Sequence, residues 1–163
     1  QVSGRMKNFI DRIAFIYHRP RFFKKTFTAI GTQFIPFGKQ TQKYLESVGD
    51  NLGFDVLKGT TVITPEPIPE KQLEKLKANI KNLSDQFYKR LNREKAVKPS
   101  LFKIMTFRMT RSGLQSSDLK LYDYEYYKEK GWFKSDYYYD IHLGPIQKAI
   151  GGLSDFLGRK LFK

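Results

Sequence analysis

Two short stretches hold residue types able to bind a ligand. The first, Ile30-Gly31-Thr32-Gln33-Phe34, follows a run that reads as a strand. In open α/β sheets, ligands sit beyond the carboxyl ends of parallel strands. Gly31 lets the backbone approach a flat ring closely, and Thr32 and Gln33 can hydrogen-bond a pyrimidine edge. Read alone, the same residues also make an ordinary turn. The second stretch, Ser3-Gly4, opens a helix. Unpaired backbone N–H groups and the positive end of the helix dipole gather there, to receive a ligand or to be capped by Ser3 itself.

A third cluster, Tyr17-His18-Arg19-Pro20, brings an aromatic ring, a titratable imidazole and a cation into one loop. A catalytic His18 needs an orienting partner; without one it is a surface or loop-packing residue, and His142 has still less around it. Paired carboxylates, His-Glu-x-x-His spacing and Gly-x-Ser-x-Gly are all absent. Hydrolase chemistry therefore has no visible apparatus. There are no cysteines, which removes disulfides, thiolate metal sites and cysteine nucleophiles. No metal ligand set is expected.

The formal charge of +14, from 30 basic and 16 acidic residues, admits a nucleic acid, an anionic membrane or a phosphate-bearing ligand as partner. It also fits a merely basic surface. No recognisable nucleic-acid module is present, so nucleic acid is not expected. No apolar run reaches 18 residues, so no membrane span is expected either.

The elements that must position these residues follow from hydrophobic spacing. Residues 3–17 read as a helix with Met6, Phe9, Ile10, Ile13 and Tyr17 on one stripe, ended by Pro20. Lys25-Thr26-Phe27-Thr28-Ala29-Ile30 reads as a strand stopped by Gly31. Residues 38–52 read as a helix with Tyr44, Leu45, Val48 and Leu52 inward and Gly53 as a left-handed cap. Residues 54–63 read as the next strand. Alternation of helix and strand predicts parallel pairing. A long helix over 70–94 carries Leu73, Leu76, Ile80, Leu83, Phe87 and Leu91, a stripe to pack on the sheet or to form a dimer seam.

From 97 onward the character changes. Leu101 to Met109 is apolar with basic breaks, and Ser112-Gly113 and Ser116-Ser117 suggest a loop. A Tyr/Trp block with interleaved acids spans 123–140; it reads as a lid, an interface or a stacking platform. Residues 145–162 read as an amphipathic basic helix, with Leu143, Ile146, Ile150, Leu153 and Leu157 marking its apolar face. That helix either lies on a membrane, with Lys148, Arg159, Lys160 and Lys163 toward head groups, or docks on its own domain or a partner; Asp155 counts against the membrane.

Ser3-Gly4-x-Met6-Lys7-x-Phe9-Ile10-Asp11-Arg12, the loop Tyr17-His18-Arg19-Pro20, and Lys24-Lys25 before a strand ending at Gly31-Thr32 resemble the flavodoxin-like NAD(P)H-dependent FMN reductase family. The resemblance covers about residues 2–94, and the tail is similar to an extension of some bacterial members. It implies an α/β fold: a flavodoxin-like three-layer α/β/α parallel sheet, incomplete, holding the last two strands and three helices. Residues 1–96 would be the C-terminal part of that domain, and 97–163 a helical, aromatic-rich C-terminal extension packed on the domain or on a partner subunit. The phosphate loop would precede Gln1, so the chain is expected to be part of a longer protein.

The resemblance places Ser3, Gly4 and Lys7 on one side of FMN, and Gly31, Thr32, Gln33 and Phe34 on the other. Where related members have a glycine-rich third loop, this chain has Gln33-Phe34-Ile35-Pro36-Phe37. The implied activity is an oxidoreductase: hydride passes from NAD(P)H to FMN and on to an acceptor, with no catalytic side chain assigned. A cytoplasmic homo-oligomer is expected. With two strands and an unpaired inner edge, an isolated 1–163 chain is expected to bind FMN poorly. The alternative is a basic, non-enzymatic interaction module that docks through its C-terminal helix on a membrane surface or partner protein.

Overall fold

The computed structural model of the chain describes residues 2–33, 39–63, 67–94, 96–118 and 122–161. Two units follow one another, Gln1–Lys95 and Ala96–Lys163. Among the described residues the chain is mixed α/β and mostly helical, with six α-helices and two short parallel two-stranded sheets.

In the first unit, α1 (Gly4–Ile13) begins where the Ser3 hydroxyl accepts a hydrogen bond from the Met6 N–H at 3.3 Å. The expected helix over 3–17 stops early and tightens into a 3-10 turn, Ala14–His18. Pro20 is the physical reason: its ring pushes Arg19 out of the helical region (φ −133°), so the preceding turn winds down.

The two expected strands each break in the middle. Strands β1 (Thr26–Phe27) and β2 (Ile30–Gln33) precede α2 (Lys39–Asn51); β3 (Asp55–Val56) and β4 (Thr60–Ile63) follow it. Pairing is parallel, β1 with β3 and β2 with β4. Phe27 lies opposite Val56, yet Ile30 lies opposite Thr60. Thr28 and Ala29 therefore face Leu57, Lys58 and Gly59, one residue more, and the ladder bulges there.

Helix α2 grips this bulge. The Gln42 amide donates to the Ala29 carbonyl at 3.2 Å and to the Glu46 carboxylate at 2.9 Å. The same carboxylate oxygen accepts the Gly59 N–H at 2.9 Å. Gly59 has no alternative, because a Cβ there would run into the Ala29 carbonyl and the Gln42 amide. Farther along α2, Gly49 lies on the Phe27 ring, and Gly53 (φ +98°) closes the helix against Phe23 and Pro20. From Gln42 to Gly49 the contacts run backward along the strand, from Ala29 to Phe27. The N-terminus of α2 thus lies toward the carboxyl ends of β2 and β4.

The core of this unit is Ile10, Val48 and Leu52, with Ile13, Ile16, Tyr17, Phe22, Leu45 and Phe54 packed on it. Phe22 and Phe54 stack at 4.6 Å. Four residues of the expected apolar stripes are on the outside instead: Met6, Phe9, Tyr44 and Leu91 are exposed. Helix α3 (Glu70–Leu91) packs on β1 and β4 through a face centred on buried Leu83. Arg90 donates to Asp55 and to the Val56 carbonyl, both at 2.9 Å, and Arg93 holds the other Asp55 oxygen at 2.9 Å. These bonds tie the end of α3 to β3.

The second unit centres on α4 (Leu101–Ser116), capped by Ser100. Ser112-Gly113, expected as a loop, lies inside this helix and is buried; Ser116-Ser117 marks its end. After α5 (Tyr122–Glu129) and Gly131 (φ +68°), a 3-10 turn at Trp132–Lys134 folds the aromatic block onto α4. Phe107 of α4 meets Tyr127, Tyr137 and Tyr138, and the Trp132 indole N–H donates to the Tyr138 carbonyl at 3.0 Å. The block is thus a packed aromatic core, with Tyr127 and Phe107 fully buried.

Helix α6 (Pro145–Leu161) packs on α4, but not by its apolar stripe. Its buried residues are Gly151, Ser154, Asp155 and Gly158. Of the expected apolar face, Leu143 is buried, while Ile146, Leu153 and Leu157 are exposed. Among the described residues no helix is long and apolar enough to cross a membrane.

Candidate functional site

Two places collect chemistry-bearing side chains, one in each unit. In the first unit, Ser3, Gly4 and Lys7 are exposed on the opening turn of α1. The Ser3 hydroxyl is occupied as the helix cap, and the Lys7 ammonium pairs with Asp11 at 3.1 Å. That hydrogen bond and the Asp11 charge raise the Lys7 pKa above its ordinary value. The Lys7 N–H is also taken, by the Ser3 carbonyl at 2.9 Å. Among the described residues, what remains at the helix start is the backbone N–H of Gly4 and Arg5, donors a helix cannot satisfy internally.

Gly31, Thr32 and Gln33 are not a turn after the strand, as expected, but the body of β2, opposite Thr61, Val62 and Ile63. Continuous β-pairing past Gly31 keeps the chain extended, and the end of the strand moves to Gln33. Phe34 lies outside the described residues. A Cβ at Gly31 would meet nothing nearer than Thr61, at 3.8 Å, so packing does not require a glycine there. Among the described residues, no hydrogen bond or ion pair joins Ser3, Gly4 or Lys7 to Gly31, Thr32 or Gln33. His18 is exposed, and His142 borders an open depression of about 440 Å³ with Asp136, Asp140 and Lys148. Among the described residues no group of His, Asp and Glu is arranged to hold a metal ion.

The second place escaped sequence reasoning. Asp155, on the inner face of α6, accepts from the Arg111 guanidinium at 2.7 Å, from the Ser112 hydroxyl at 2.6 Å and from Arg108 through two nitrogens. Arg108 also holds Asp136, and Arg111 donates to the Ser135 carbonyl. Burial pushes the Asp155 carboxyl up, but the bonds from Arg108 and Ser112 and the Arg111 charge outweigh it and leave the carboxyl below its ordinary value. The Asp155 bond raises Arg108, whereas burial and the neighbouring Arg108 charge lower Arg111. Both guanidinium groups stay charged, since an arginine starts far above neutral pH.

This cluster is a clamp between α4 and α6. The small residues around it let the helices close: a Cβ at Gly158 would stand 2.5 Å from the Met109 carbonyl oxygen, and Gly151 lies on the Arg108 guanidinium. The spacing of Gly151, Ser154 and Gly158, with Asp155 among them, was the readable signal for a polar, close-packed helix face. Comparison with protein-family models, with curated proteins and with solved structures finds no match to this chain.

Proposed function

We propose that the chain is the C-terminal portion of an FMN-dependent oxidoreductase that passes reducing equivalents from NAD(P)H through FMN to an acceptor, on a flavodoxin-like sheet. The observation that carries this reading is the parallel β2–β4 pair with the N-terminus of α2 toward its carboxyl end, the end at which open α/β sheets bind ligands. The Ser3-to-Arg12 motif supports it through the family resemblance.

In this reading, bound FMN supplies the redox chemistry. The residues present suit part of such a site. Gly4 has open space around it and Gly31 has room above it, so both leave the backbone accessible to a flat ring. The Gly4 and Arg5 N–H groups would donate to flavin oxygens, and exposed Thr32 would add a hydroxyl. Lys7 is paired with Asp11, so it would shape the local potential rather than bind directly.

The test is the absorption spectrum between about 350 and 500 nm, where flavins absorb, taken on protein purified from its source together with its intact mass. Flavin bands that bleach under NAD(P)H without oxygen are the expected result. A protein from that source heavier than 19.2 kDa that is colourless and takes up no added FMN would overturn the reading.

A further inference from the structure

We propose that the outer face of α6 is a docking surface for a bilayer carrying anionic lipid. It goes beyond the redox reading and does not depend on it. With its inner face spent on α4, α6 turns Ile146, Leu153, Phe156 and Leu157 outward at 70%, 60%, 57% and 37% exposure. At about 100° per residue these side chains and exposed Ala149 fall within an arc of roughly 100°. Exposed Lys148 and Arg159 lie together beyond one edge of that arc, and exposed Lys160 falls within it on the last turn. On α4, Leu101 and Phe102 are exposed as well, at 45% and 70%, beside half-buried Lys103.

Asp155 decides what occupies this face. It is the only carboxylate in Pro145–Leu161, and it points inward, neutralised by Arg108 and Arg111. The outer face of α6 therefore carries apolar and cationic side chains and no carboxylate of its own, while Lys148, beyond its edge, shares a depression with Asp136 and Asp140. That pattern fits a helix lying in the plane of a membrane: apolar side chains enter the acyl boundary while lysine and arginine stems reach up to phosphate. A second copy is a poor occupant, because the same face on its mate offers further cations and no carboxylate of α6 to pair with them.

The experiment is co-sedimentation of the full 163-residue chain with vesicles of phosphatidylcholine, with and without phosphatidylglycerol. Binding at least about tenfold tighter to the anionic vesicles is expected. Leu153→Ser with Phe156→Ser should lose that binding, as should Arg159→Glu with Lys160→Glu. All four side chains are exposed, so folding should survive, with Trp132 emission as the check. Leu153→Trp should shift its emission to the blue on anionic vesicles, which reads insertion directly. The proposal is overturned by equal affinity for both vesicles, by retained binding in the Leu153/Phe156 variant, or by a dimer that this variant returns to monomer.

Discussion

Arg111 reaches from α4 to Asp155 on α6 at 2.7 Å, with the two side chains only 10% and 9% exposed. Removing the carboxylate leaves two guanidinium groups facing a space built for an anion. Asp155→Ala should cost about 3–5 kcal/mol, the range for breaking a buried ion pair on one side. Urea unfolding followed by Trp132 fluorescence reads it; a loss below 1 kcal/mol, on the order of an exposed pair, would mean the clamp is not tight in solution.

The same carboxyl sets an acid limit. Its folded pKa is below the ordinary 3.8, so near and below that pH the unfolded chain binds more protons than the folded one. Its contribution is complete above about pH 3.8 and disappears as pH falls toward the folded value. Asp155→Asn should flatten that acid limb of the stability curve of the second unit, measured from pH 6 down to pH 2.

Alkali should act through Tyr127. Burial, and then Tyr138, whose hydroxyl lies at 3.3 Å, push the Tyr127 phenol far above its ordinary value of 10.0. The folded state then holds a proton that the unfolded state gives up. Stability is complete below pH 10 and falls as pH rises past it. Tyr127→Phe should reduce this slope, and tyrosinate absorbance of the parent chain should rise for the buried rings only as the aromatic core melts.

Two glycines on α6 should respond in opposite directions. Gly158→Ala drives a methyl against the Met109 backbone and should destabilise by about 1–3 kcal/mol. Gly152 has open space around its Cβ position, so Gly152→Ala should stabilise by up to about 1 kcal/mol through helix propensity. Equal thermal shifts in the two variants would show that α6 does not close on the Met109 backbone in solution.

The bulge in the first unit makes a sharper demand. Gly59→Ala collides with backbone, which cannot rotate away, and should separate β2 from β4. Gln42→Ala removes the donor to the Ala29 carbonyl and should cost about 1–2 kcal/mol. Amide exchange of Thr60, whose N–H bonds Ala29 at 3.2 Å, should accelerate in both variants.

Spacing along the chain determined the local elements. Ser3 caps α1, Gly53 closes α2, and the alternating helix and strand order of the first unit follows from the spacing of neighbouring residues, which a sequence displays directly. Parallel pairing was also legible, because a helix between two strands leaves no other short route. The bulge was not: the extra residue among Leu57, Lys58 and Gly59 exists only relative to the partner strand, and Gln42 and Glu46 became its clamp only once α2 lay over it.

For the candidate site, the helix start at Ser3-Gly4 was readable, but the placing of Gly31 to Gln33 inside β2 depended on how far pairing with Thr61 to Ile63 extends. Helix α6 shows the division most clearly. Its sequence carries both an apolar stripe and a small-residue stripe with Asp155, and hydrophobicity alone turns the first inward. Arg108, Arg111 and Ser112 lie more than forty residues away in sequence, as the separations of 47, 44 and 43 record. Only their meeting with Asp155 in three dimensions satisfies a buried charge, and that satisfaction turns the small stripe inward and leaves the apolar one exposed.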